Sequence, residues 1–130
     1  MTNTDCVCGS HKPFAQCCQP LLDGIRLATT SEQLMRSRYS AYALGGYGEY
    51  LLRTWFAPMA KNLSIAELSR SDTEWIKLQI IGTENNNGWV EFKASYKDDD
   101  RIVEMHEKSV FIRQGAHWFY IGGEVSHRVN

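Results

Sequence analysis

Glu74-Trp75-Ile76-Lys77-Leu78-Gln79-Ile80-Ile81-Gly82-Thr83-Glu84-Asn85-Asn86-Asn87-Gly88-Trp89-Val90-Glu91-Phe92-Lys93-Ala94-Ser95-Tyr96 is the stretch from which the fold follows. Its first half places Ile76, Leu78 and Ile80 on one face of a strand over residues 74–82. A period of two marks a half-buried strand. Asn85-Asn86-Asn87-Gly88 then supplies residues that tolerate positive φ, so the chain folds back as a hairpin. The return strand, over residues 89–97, carries Val90, Phe92, Ala94 and Tyr96 on one face. Asp98-Asp99-Asp100 turns into a long strand at 101–113, and Gln114-Gly115 turns into a last one from His117 to Ile121. Strands joined by turns this short form an antiparallel meander.

Upstream the period is helical. Thr30-Ser31-Glu32-Gln33 is a capping box, from which a helix runs to Leu44 and stops at Gly45-Gly46. A second helix over Tyr47–Trp55 shows Tyr47, Tyr50, Leu51 and Trp55 on one side and stops before Pro58. Ser64-Ile65-Ala66-Glu67 opens a short third helix that ends near Arg70. Helices first and a meander after them define an α+β domain, with one face of the sheet packed on the helices as a cone or open cradle.

All four cysteines, Cys6, Cys8, Cys17 and Cys18, precede that domain, in the spacing C-x-C-x8-C-C. A disulfide between the neighbours Cys17 and Cys18 would strain peptide and disulfide torsion alike, and disulfides are rare in a reducing cytosol. Four thiolates around one structural zinc ion suit the cluster better, as a closed site without an open position for water or substrate. Gly9 allows a tight turn after the second thiol, and Pro13 suits the start of a short helix that returns Cys17 and Cys18 to the first pair. Lys12 and His11 stand ready to offset the negative charge of a zinc tetrathiolate. Gln19-Pro20 ends this unit, and the residues up to Ala28 read as a linker.

Cys6-Val7-Cys8-Gly9-Ser10, Lys12 and Cys17-Cys18 resemble the SEC-C motif, named for the zinc-binding C-terminus of the SecA translocation ATPase. The resemblance implies a zinc knuckle over residues 1–24 that contacts proteins such as the SecB chaperone and the ribosome. A wider pattern covers nearly the whole chain. Pro13-Phe14-Ala15, Pro20-Leu21-Leu22, Leu34-Met35-Arg36-Ser37-Arg38-Tyr39-Ser40-Ala41-Tyr42, Tyr50-Leu51-Leu52-Arg53-Thr54-Trp55, Gly88-Trp89-Val90-Glu91-Phe92 and His106-Glu107-Lys108-Ser109-Val110-Phe111 together resemble the uncharacterised YchJ family of bacterial proteins. That likeness implies a nuclear transport factor 2-like, or cystatin-like, α+β domain over residues 25–130, following the knuckle. Some members carry a second C-terminal knuckle, of which this sequence shows no sign.

Arg38 is the oddity of the second domain. Leu34, Met35, Ala41 and Tyr42 lie one helical turn from it, so a permanent charge sits in the middle of the apolar arc, while Arg36 points the other way. A buried guanidinium requires acceptors. The inward row of the long strand reads Val103, Met105, Glu107, Ser109, Phe111, which suggests that Glu107 pairs with Arg38, with Ser109 and Tyr42 completing the hydrogen bonds. Such a pair is either an internal strut or a pocket in which Arg38 meets an anionic group and Glu107 serves as acid or base. His106 alternates to the opposite face and stays outside that pocket.

Fourteen basic against 15 acidic residues give a net charge of -1, which supplies no basic field for nucleic acid or an anionic membrane. The four tryptophans and six tyrosines therefore read as packing rather than as base-stacking platforms. No apolar run reaches the roughly 18 residues of a membrane span, and the start lacks a signal-peptide pattern, so a cytoplasmic protein is expected. The leading expectation is a non-enzymatic zinc-binding adaptor for a protein partner, ribosomal or translocation-related. A small-molecule pocket around Arg38 and Glu107 and a thiol redox or zinc sensor are the alternatives.

Overall fold

The structure, a computed structural model, describes residues 5–129. Helices α1 (Gln19–Leu22), α2 (Ser31–Leu44), α3 (Gly48–Arg53) and α4 (Ile65–Leu68) precede strands β1 (Glu74–Glu84), β2 (Trp89–Asp98), β3 (Arg101–Gln114) and β4 (His117–Val129). The strands form one antiparallel sheet in the order β1-β2-β3-β4. The α+β meander expected from the hairpin stretch is the fold observed.

Local chemistry explains the helix ends. The Thr30 hydroxyl accepts from Gln33 N at 3.1 Å and caps α2, while the Gln33 side chain accepts from Thr29 N, one residue earlier than a capping box requires. Gly45 ends α2 at φ 75, a value L residues rarely adopt. The Ser64 hydroxyl accepts from Glu67 N at 3.1 Å and starts α4. Gly48 opens α3 where a Cβ would collide with Ile65 O, so only glycine lets α3 and α4 cross this closely.

Three bulges interrupt the ladders, at Ile76 and Ile81 of β1 and at Ile121 of β4, and the first and last alter the pattern read from alternation. Trp75 pairs with Tyr96 and Lys77 with Ser95, leaving Ile76 as the extra residue. Trp75 therefore takes the inner face in place of Ile76, which is 47% exposed. On β4 the register shifts between Val110↔Gly122 and Phe111↔Tyr120, and the strand runs on to Val129 rather than ending at Ile121. Beside that bulge, Tyr120 N donates to Thr54 O and Phe56 N donates to Tyr120 O, both at 2.8 Å. The chain leaving α3 is thereby clipped to the sheet, with Trp55 bridged to Tyr120.

α2 is the central element. It touches β1, β2 and β4 on one side and α1 and α3 on others. Leu34, Ala41, Leu51, Val90 and Ala94, with Cys8 and Cys18, form the most deeply buried part of the core. The segment expected as a linker after Gln19-Pro20 instead contains α1, whose Leu21 and Leu22 are buried in that same core. An apolar pair beside Cys18 is better satisfied against α2 than in water.

Candidate functional site

Cys6, Cys8 and Cys18 are buried and Cys17 is half-buried. Their sulfurs all lie within 4.8 Å of one another, and none is in a disulfide. Gly9 turns the chain at φ 81, and the single 3-10 turn Phe14–Gln16 after Pro13 brings Cys17 and Cys18 back. Cys8 Sγ lies 3.6 Å from Cys17 Sγ, and Cys17 Sγ lies 3.9 Å from Cys18 Sγ. Four tetrahedral bonds of ~2.3 Å to one ion set sulfurs about 3.8 Å apart. The donor set thus fits a tetrathiolate metal site, and sulfur donors suit zinc. Hydrogen bonds from Cys18 and Cys6 hold the Cys8 thiol well below its ordinary pKa, whereas bonds to Cys6 and Cys8, together with burial, push Cys18 up.

The cluster is fastened to α2. Cys6 Sγ stands 3.6 Å from the buried Ser40 hydroxyl, and Arg36 Nη1 donates to Cys8 O at 2.7 Å. Arg36 also pairs with Glu32 at 2.9 Å. Arg36, which points away from Arg38 as expected, is therefore a cation beside the cysteine segment, along with the Lys12 named from sequence. Lys12 lines a groove of about 390 Å³ together with Ser10, Gln16, Cys17, Arg26 and Arg36.

Between α2 and the sheet lies a second cavity, of about 210 Å³. Arg38, Tyr42, Glu107 and Ser109 all line it, so the structure brings together the four residues singled out from the helix arc and the strand row. It does not join Arg38 to Glu107: no ion pair links them. Arg38 is 5% exposed, and its Nη1 donates to Leu51 O and to the Thr54 hydroxyl, each at 2.7 Å. Leu51 O lies in the last turn of α3, where carbonyls lack helical partners and favour a cation. Glu107 is taken instead by Ser109 and Tyr120, whose hydroxyls both donate to its Oε2 at 2.7 Å.

Tyr120 connects these two charges. Its ring lies 4.8 Å from the Arg38 guanidinium carbon, with Trp55 at 4.6 Å and set edge-on to Tyr120. Burial lowers the Arg38 pKa against the opposing influence of Tyr42, Tyr120, Tyr50 and Glu107. Burial pushes Tyr42 up, with the Arg38 charge pulling it back. Burial and the bond to Glu107 push Tyr120 up as well. The sequence reading missed Thr54, Trp55 and Tyr120. Alternation from Trp118 would have turned Tyr120 inward, but nothing in the sequence of Thr54-Trp55 announces its clip onto β4. His106 lies on the outer face, 2.7 Å from Glu91.

A helical layer on a curved meander, enclosing a cavity, makes this an NTF2-like domain preceded by a four-cysteine cluster. Residues 30–123 match the family model described as the YchJ middle NTF2-like domain, and the chain belongs to the YchJ family. Among its relatives, a UPF0225 protein of Photorhabdus laumondii is 39% identical over 128 residues, spanning 91% of this chain and 79% of that one. A UPF0225 protein of Shewanella sp. strain MR-4 is 37% identical over 95% of this chain and 82% of its own. A third, from Vibrio parahaemolyticus, is 33% identical over 92% and 74%. No solved structure matches the chain significantly. No helix among the described residues is long and apolar enough to cross a membrane.

Proposed function

We propose that the chain is a non-enzymatic adaptor whose four cysteines hold one structural zinc ion. The observation that carries this reading is the closed set of four thiols within 4.8 Å of one another, packed against α2. Four protein sulfurs complete a zinc shell, so the ion would supply rigidity to residues 6–18 rather than a Lewis-acid position. A segment this short has too little core of its own to order without a metal.

The partner surface is the groove beside Cys17. Lys12, Arg26 and Arg36 give it three cations, and among its lining residues only Glu32, paired with Arg36, is acidic. Such a surface suits an acidic segment of a protein partner. The likeness to the SEC-C motif favours a ribosomal or translocation-related protein. The test is a crosslinked pull-down from zinc-replete bacterial lysate with wild type, Cys6→Ser plus Cys17→Ser, and Lys12→Glu plus Arg26→Glu. Ribosomal or translocation proteins should be captured by wild type and lost from both variants. Identical eluates from all three would contradict the reading.

A further inference from the structure

The cavity under α2 has a chemistry of its own, separate from the metal centre and the groove beside it. About 210 Å³ is less than the roughly 300–1,000 Å³ of drug-sized sites, so its occupant is about the size of one substituted ring. Tyr39, Trp55, Trp75, Phe92, Phe111 and Tyr120 supply ring faces and edges to the walls. Walls of this kind favour a flat apolar body.

Two buried charges interrupt that lining, and each has unused bonding capacity. Arg38 donates through Nη1 to Leu51 O and Thr54 and has the Tyr42 hydroxyl as a further partner, which still leaves part of its fork of five N–H groups unused. No carbonyl or carboxylate among the described residues takes its Nε or Nη2, and this edge suits a carboxylate held by two parallel bonds. Glu107 receives both of its protein donors at Oε2, which makes it an acceptor and leaves Oε1 open to a further donor. Because the two charges do not pair with each other, one molecule with an acceptor at one end and a donor at the other satisfies both. An anionic end beside Glu107 would be repelled, so the carboxylate belongs at Arg38 and the donor at Glu107.

We propose that this cavity binds a single-ring aromatic carboxylate carrying a hydrogen-bond donor across the ring from the acid group. The ring lies among the aromatic walls, the carboxylate meets the free edge of Arg38, and a hydroxyl donates to Glu107. Tyr120 serves as the positioning residue for both anchors, through its ring face towards Arg38 and its hydroxyl on Glu107. Half-buried Tyr42, Trp55 and Met105 leave the cavity reachable from solvent.

The probe is 4-hydroxybenzoate, titrated into the full zinc-loaded chain while the indole N–H signals are followed by NMR. Saturable shifts are expected at Trp55 and Trp75, with Trp89, which carries Lys108 over its ring away from the cavity, unmoved. Benzoate, lacking the donor, and 4-hydroxybenzyl alcohol, lacking the acid, should each bind at least about tenfold more weakly, the loss expected for one charge-assisted bond. Arg38→Lys should weaken 4-hydroxybenzoate similarly, and Ala94→Leu, which fills the cavity from β2, should remove binding. Absence of saturable shifts would overturn the proposal. So would equal affinity for all three probes, a comparison that requires only the wild-type chain.

Discussion

Arg38 and Glu107 show how a buried charge finds partners by local supply rather than by sign alone. The Leu51 carbonyl in the last turn of α3 lies within reach of Arg38, and two hydroxyls lie within reach of Glu107, so each charge is satisfied apart from the other. A double-mutant cycle of Arg38→Met with Thr54→Val should therefore give a coupling of roughly 1–2 kcal/mol by chemical denaturation. The cycle of Arg38→Met with Glu107→Gln should give less; the reverse ranking would contradict the geometry. Gly48 is the second decisive residue. Any Cβ there meets Ile65 O and Ser69, so Gly48→Ala should destabilise by more than about 1 kcal/mol. Gly46→Ala meets no atom within 4 Å and carries only the strain of φ 84.

At the scale of elements, the bulges at Ile76 and Ile121 decide which side chains face the cavity. Trp75 occupies the inner face and packs edge-on to Tyr39 and Tyr96, at 5.9 and 5.2 Å between centroids. Trp75→Ala is accordingly expected to cost about 3 kcal/mol, while Ile76→Thr on the solvent side stays within about 0.5 kcal/mol. Equal effects in urea unfolding would show that the bulge is misplaced. The turns, caps and strand rows were legible because they rest on local chemistry: a side-chain oxygen three residues before an N–H, glycine at positive φ, and alternation. Bulges were not, because the extra residue is selected by cross-strand partners such as Tyr96 and Tyr120 that lie far off in sequence. For the same reason α1 read as a linker. Its four residues carry no period, and only burial of Leu21 and Leu22 against α2 makes them helical. Of the site, the thiols were legible from spacing and the pocket charges from the polar breaks in apolar rows. The clip of Thr54-Trp55 onto β4 was not.

In the molecule as a whole, α2 is shared by two structures: the cysteine cluster through Arg36 and Ser40, and the cavity through Arg38 and Tyr42. Burial raises the pKa of Tyr42, Tyr50 and Tyr120, and pushes Tyr39 up to about 12. Above pH 10, near the ordinary tyrosine value, an unfolded chain releases phenolic protons that the folded one keeps. The unfolded state then binds fewer protons, so stability is fully present below pH 10 and declines as pH rises towards 12. Absorbance at a tyrosinate wavelength should show these four rings ionising late, together with loss of the near-ultraviolet circular dichroism. Removal of the proposed zinc ion would act elsewhere in the chain. A chelator should broaden the amide signals of residues 6–18 and leave the sheet intact, because β1–β4 close their own hydrogen bonds. The measurement that bears most directly on the proposed zinc site is X-ray absorption at the zinc edge of the purified chain. One zinc per chain with four sulfur neighbours at ~2.3 Å is the expected result. A substoichiometric ion, or nitrogen and oxygen in its first shell, would contradict it.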